Sequence, residues 1–111
     1  MEKSDQVYIN QILESVSKIE SFVFGLSQNS FQNDIKTQSA VVMQLVLIGE
    51  LSKKISDKTK QKIDLPWKEI AGFRDEAVHN YFEIDLGVVW NTLKEDLPFL
   101  KEKLSKNIFQ K

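Results

Sequence analysis

Cysteine is absent from this chain of 111 residues, and histidine and arginine each occur once, at His79 and Arg74. Without cysteine there is no disulfide framework, no thiolate nucleophile and no cysteine-rich zinc site. A single histidine leaves an all-protein transition-metal site short of ligands, so no metal site is expected. No Gly-rich phosphate loop, Gly-x-Ser-x-Gly or His-Glu-x-x-His pattern is present either, and no cofactor is implied. Charge of one sign is also lacking: 15 basic residues stand against 16 acidic ones. A protein that coats nucleic acid non-specifically needs a large basic excess, which excludes that class. The longest apolar run, residues 40–48, is broken by Gln44 and falls far short of the roughly 20 residues that span a bilayer. The first six residues, Met-Glu-Lys-Ser-Asp-Gln, carry no secretory pattern, so a cytoplasmic protein without a membrane partner is expected.

What is present is helical spacing. A length of 111 residues at 41% hydrophobic content supports one core, and a single domain over 1–111 is expected. Tyr8, Ile12, Val16, Ile19, Val23 and Leu26 recur every three or four positions, which predicts a helix from an Asp5 N-cap to about Phe24, stopped by Gly25 and the Ser27–Ser30 cluster. Asn33 or Asp34 caps a second helix that reaches about Ile55; its apolarity on nearly all sides predicts the most buried position, with Glu50 out of place at its rim. A short helix at Asp57–Lys62 follows. Pro66 then opens a segment through Trp67, Ile70 and Phe73, with Gly72 as a candidate break and a new turn from Arg74 to about Tyr81. The last helix starts at an Asp85 cap, kinks at Pro98, and carries Leu100, Leu104 and Ile108 on its apolar face. The fold class expected is all-α: an up-and-down bundle of four main helices plus a short one.

Chemistry concentrates in one stretch, Arg74-Asp75-Glu76-Ala77-Val78-His79-Asn80-Tyr81. A guanidinium holds phosphate oxygens bidentately, and an imidazole exchanges protons near neutral pH. Metal-free phosphodiester cleavage needs those two functions. Asp75 and His79 are i,i+4 neighbours, so the carboxylate is placed to orient the ring; Arg74 and Tyr81, seven apart, align as well. Arg74 and His79 lie about 140° apart around an undistorted helix. One phosphate gripped by both requires a long arginine reach, a distorted helix or a second copy of the chain. The one local basic excess is Lys53, Lys54, Lys58, Lys60 and Lys62, interrupted by Asp57, which reads either as a solvated helix end or as a small phosphate-tracking patch led by Lys53, Lys54 and Lys58.

The motif resembles the Arg-x4-His-x-Tyr signature of HepT-like toxins, members of the HEPN superfamily of helical ribonucleases. Thr37-Gln-Ser-Ala-Val-Val, Ile48-Gly-Glu50, Pro66-Trp67-x-x-Ile70-Ala-Gly72, Tyr81-Phe-x-Ile84-Asp85, Val89-Trp90 and Asp96-Leu-Pro98-x-Leu100 are similar to further blocks of that family, in order. Departures are confined to apolar exchanges at Leu51 and Phe73. The resemblance implies a HEPN-type bundle and a metal-independent endoribonuclease, with His79 as general acid/base, Arg74 on the phosphate and Asp75 in support. It implies a homodimer whose two motifs share a cleft. It also implies the toxin role in a toxin–antitoxin pair, silenced by an MntA-like minimal nucleotidyltransferase that transfers AMP from ATP to Tyr81. The alternative is a non-catalytic HEPN adaptor that binds a nucleotidyltransferase or a nucleotide; an unrelated four-helix structural protein is the third reading.

Overall fold

The computed structural model describes residues 1–108, less the side chains of residues 107 and 108, and contains no strand among them. The elements are α1 (Lys3–Val23), α2 (Gln28–Gln32), α3 (Ile35–Lys54), α4 (Asp57–Lys62), α5 (Trp67–His79), a 3-10 turn (Tyr81–Glu83), α6 (Leu86–Asn91), a π turn (Thr92–Asp96) and α7 (Leu97–Ile108). Taken as one rod, α6, the π turn and α7 join α1, α3 and α5 as the four main helices of an all-α bundle. The expected short helix is α4, and α2 is an addition.

Apolar spacing builds the core on the predicted Ile12, Val16 and Ile19, with Ile9 added and Tyr8, Val23 and Leu26 only partly buried at its edge. Ile9, Ile12, Val16 and Ile19 of α1 pack with Val41, Leu45 and Ile48 of α3 and with Leu93, Leu97, Leu100 and Leu104 of the rod. Gly25, at φ +79°, takes the left-handed conformation that ends the first helix. Asp34 caps α3 through the Thr37 N–H at 3.0 Å, and Asp85 caps α6 through the N–H groups of Gly87 and Val88. The expected continuation of the last apolar face to Ile108 falls on a side chain outside the described residues.

Several expectations are corrected. Asp5 is not an N-cap: Glu2 holds that position, and Asp5 sits in the first turn at 1% exposure. Its carboxylate accepts hydrogen bonds from Ser56 N at 3.0 Å, Ser56 Oγ at 2.6 Å and Thr59 Oγ1 at 2.6 Å, so it organises the start of α4 rather than of α1. Burial opposes its ionisation, but those donors outweigh burial and hold its pKa below the usual carboxylate range. The Ser27–Ser30 cluster does more than stop α1: Ser27 and Ser30 form a reciprocal capping box that starts α2. That short helix drives Phe31 fully into the core against Trp90, ring centroids 5.3 Å apart, a burial worth about 1.5–3 kcal/mol.

Gly72 neither breaks nor kinks α5, which runs unbroken to His79. Tyr81 consequently lies beyond the helix end, in the 3-10 turn, and its predicted helical alignment with Arg74 is lost. Near Pro98 the backbone widens over Thr92–Asp96, where the Leu97 N–H donates to Thr92 O five residues back. A proline ring collides with the carbonyl four residues earlier in an α-helix, and the wider turn relieves that collision. Finally, α3 is not buried all round. Met43 and Leu47 stay 55% and 40% exposed, on a face left open by the described residues.

Candidate active site

Helices α3 and α5 form the platform of the site. Ser39 meets Tyr81 near one end of α3, and Gly49 meets Arg74 near the other, so the two helices run antiparallel. The fit at Gly49 is tight: a Cβ there would stand 2.5 Å from Arg74 Cβ and 3.0 Å from Ile70 O. Only glycine lets α5 approach this closely. At the other end of α5, Trp67 Nε1 donates to the carbonyls of Ile63 and Lys60 at 3.0 and 3.2 Å, tying the start of the helix to α4.

Arg74 projects from this contact into a chain of alternating charges. Its Nε lies 2.8 Å from Glu50 Oε2, within ion-pair distance. That N–H is buried and does not point along a hydrogen bond to the carboxylate. Nη1 lies 3.1 Å from Asp75 Oδ1, and Lys53 Nζ shares the same oxygen at 2.6 Å. The hydrogen bond from Lys53, followed by that from Arg74, holds the Asp75 carboxyl below its ordinary pKa. Asp75 therefore faces α3 and the guanidinium. Among the described residues no hydrogen bond or ion pair joins it to His79.

His79 is the exposed last residue of α5. Since the helix is undistorted, the angle of about 140° between Arg74 and His79 stands within one chain. Tyr81 is 45% exposed, with its hydroxyl 3.3 Å from Ser39 Oγ and its ring edge-on to Phe82. Exposed apolar side chains surround this platform: Met43 and Leu47 on α3, Val78 on α5, and Phe82, 98% exposed.

The three lysines separate. Lys53 stands beside the arginine through Asp75, Lys54 lies over the Tyr8 ring 5.8 Å away, and Lys58 lines a hollow with Met1, Glu2 and Ser56. No group of three His, Asp or Glu side chains among the described residues is placed to hold a metal.

Glu50, Gly49 and Ser39 are the site residues that sequence reasoning did not assign. Glu50 had a signal, an acid amid the apolar residues of α3, and so did a glycine inside a helix. Ser39 had none.

The family described as “Ribonuclease HepT-like” matches residues 12–106. A protein of Thermococcus cleftensis named “Probable ribonuclease HepT” is 41% identical over 96% of this chain and 97% of its own length. The Caldanaerobacter subterraneus protein “Putative RNase TTE0752” is 36% identical over 98% of this chain and 97% of its own. “Gamma-glutamylcyclotransferase and putative RNase MJ0434” of Methanocaldococcus jannaschii is 36% identical over 96% of this chain, which spans 48% of that protein. No solved structure gives a significant match.

Proposed function

The chain belongs to the HepT-like ribonuclease family, and from that membership we propose that it is an endoribonuclease toxin cutting RNA at Arg74 and His79. The observation that carries this reading is Arg74 itself, the sole arginine, fixed at the α3–α5 contact with His79 exposed five residues further along the same helix. The chemistry is transesterification without a metal. The 2′-hydroxyl oxygen attacks the adjacent phosphorus, the P–O5′ bond breaks, and a 2′,3′-cyclic phosphate and a 5′-hydroxyl remain. The imidazole of His79 takes the 2′-hydroxyl proton or, as imidazolium, delivers one to O5′. Arg74 stabilises the charge that accumulates on the non-bridging oxygens, Lys53 supports the neighbouring backbone, and Asp75 holds both cations in place.

The angle between Arg74 and His79 favours a homodimer in which each motif completes the other. Met43, Leu47, Val78 and Phe82 form an exposed apolar face around the motif, as expected of a surface that a second copy covers. For the toxin–antitoxin role, the acceptor on this chain is the accessible Tyr81 hydroxyl. An MntA-like minimal nucleotidyltransferase would join that oxygen to the α-phosphorus of ATP, with loss of pyrophosphate and of the phenol proton to solvent. The added phosphate excludes substrate by bulk and like charge.

The test is cleavage of a labelled single-stranded RNA in EDTA by wild type, Arg74→Ala and His79→Ala. Wild type should leave cyclic-phosphate and 5′-hydroxyl ends, and each variant should be slower by about 100-fold or more. Intact RNA with wild type overturns the reading and leaves the non-catalytic adaptor, and undiminished cleavage by both variants overturns the assignment of the site to Arg74 and His79.

A further inference from the structure

Resting on the ribonuclease reading, we propose that Glu50 is a positioning residue that sets which edge of the Arg74 guanidinium meets the RNA phosphate. Consecutive residues of α3 hold both ends of this side chain. Gly49 fixes the stem, because its backbone lies where only a hydrogen fits beside Arg74 Cβ, and Glu50 lies against the head with Oε2 2.8 Å from Nε. Asp75 takes Nη1 from its own helix. With carboxylates at Nε and Nη1, the Nη2 end has no partner among the described residues and is the end left for a ligand.

A free arginine samples many rotamers, and a displacement near 1 Å at a reacting phosphate lowers rate by about 100-fold. Glu50 limits that freedom by setting a carboxylate 2.8 Å from the buried Nε as an ion pair, the N–H itself having no hydrogen-bond acceptor among the described residues. The geometry also separates aim from attraction. Deleting an acid beside the arginine makes the site more positive, so ground-state binding of an anionic RNA does not weaken. Turnover suffers because the guanidinium no longer meets the developing charge.

The experiment compares wild type, Glu50→Ala, Glu50→Gln and Arg74→Ala, and places Glu50→Ala also in an Arg74→Lys background, on a fluorophore-labelled single-stranded RNA. Glu50→Ala should lower kcat about 10- to 100-fold with KM unchanged or lower. Glu50→Gln, which keeps the length of the side chain but loses the charge that opposes Nε, should recover little of that loss. In the Arg74→Lys background, which has no Nε, removing Glu50 should change kcat less than twofold. If Glu50→Ala keeps wild-type kcat while Arg74→Ala is inactive, the proposal fails and the nuclease site stands. If Arg74→Ala also cleaves normally, the nuclease reading fails first. An equal kcat loss in the lysine background also overturns the proposal, since Glu50 then acts other than through Arg74. Should circular dichroism find Glu50→Ala unfolded, Glu50→Met, of similar length and uncharged, replaces it with the same expected kcat and KM pattern.

Discussion

Gly49 and Arg74 touch backbone to side-chain stem, with no room for a methyl group between α3 and α5. Helix propensity alone says that Gly49→Ala should stabilise α3 by about 1 kcal/mol. The close approach reverses the sign, because the neighbours of the new methyl are a backbone carbonyl and the Cβ of Arg74, neither of which can swing aside. Overpacking of this kind is destabilising by about 1–3 kcal/mol before relaxation. Gly49→Ala should therefore lose about 1 kcal/mol net in urea denaturation and slow RNA cleavage at least tenfold, as Arg74 is pushed from its place. A variant as stable and as active as wild type contradicts the assigned contact.

Asp5 makes acid stability depend on one buried carboxylate. Its folded pKa lies below the ordinary value, so its contribution is complete above the unfolded pKa of about 3.9 and is lost as pH falls through the lower folded value. Asp5→Ala strips Ser56 and Thr59 of their acceptor and should be destabilising by about 2–3 kcal/mol at pH 7. Between pH 5 and 3 the gap between wild type and variant should narrow. Parallel stability curves in that window would show that the carboxylate is not the titrating partner.

Val78 projects from α5 one residue before His79 and is half exposed. Placing a charge there leaves the core of the single chain untouched, so Val78→Asp should retain its helicity and melting behaviour. Sedimentation should show a shift from dimer to monomer, with RNA cleavage lost in step. Full activity from a protein that sediments as a monomer refutes the shared-cleft arrangement.

Tyr81 and Tyr8, the two tyrosines open to the proposed AMPylation, stand in very different surroundings. Tyr8 is partly buried against the core beneath Lys54, whereas Tyr81 is exposed and, among the described residues, has its hydroxyl hydrogen-bonded to Ser39 alone. Incubation with ATP and a cognate MntA-like enzyme should place AMP on Tyr81, detectable in peptide mass spectra and absent from Tyr81→Phe. Ser39→Ala should still be modified, since the serine leaves the hydroxyl accessible. AMP found on Tyr8 counts against the assignment.

Local rules made most helices legible. Asp34 and Asp85 cap where their side chains reach the next turn, and Gly25 ends α1 by a conformation intrinsic to glycine. Local rules failed where the deciding partner was distant in sequence. Asp5 reads as a cap because nothing nearby reveals Ser56, 51 positions away. Gly72 reads as a break, yet α5 is held from outside by its packing on α3. The candidate site divides the same way. Arg74, Asp75 and His79 are neighbours in sequence and visible together, but Glu50 and Lys53 join them only through helix packing. The exposed face of α3 was hidden by its composition, since an exposed apolar stripe and a buried one are spelled with the same residues.

The π turn and Pro98 depend on each other structurally. Thr92–Asp96 holds one residue more than an α-helix needs to cover the same turn, and that surplus gives the proline its room. Deleting exposed Lys94 alone would return the rod to α geometry and force the ring against a carbonyl, whereas the same deletion alongside Pro98→Ala would leave a regular helix with Leu93 and Leu97 still on one face. The effects of losing the extra residue and of losing the proline are therefore non-additive, the second relieving the first.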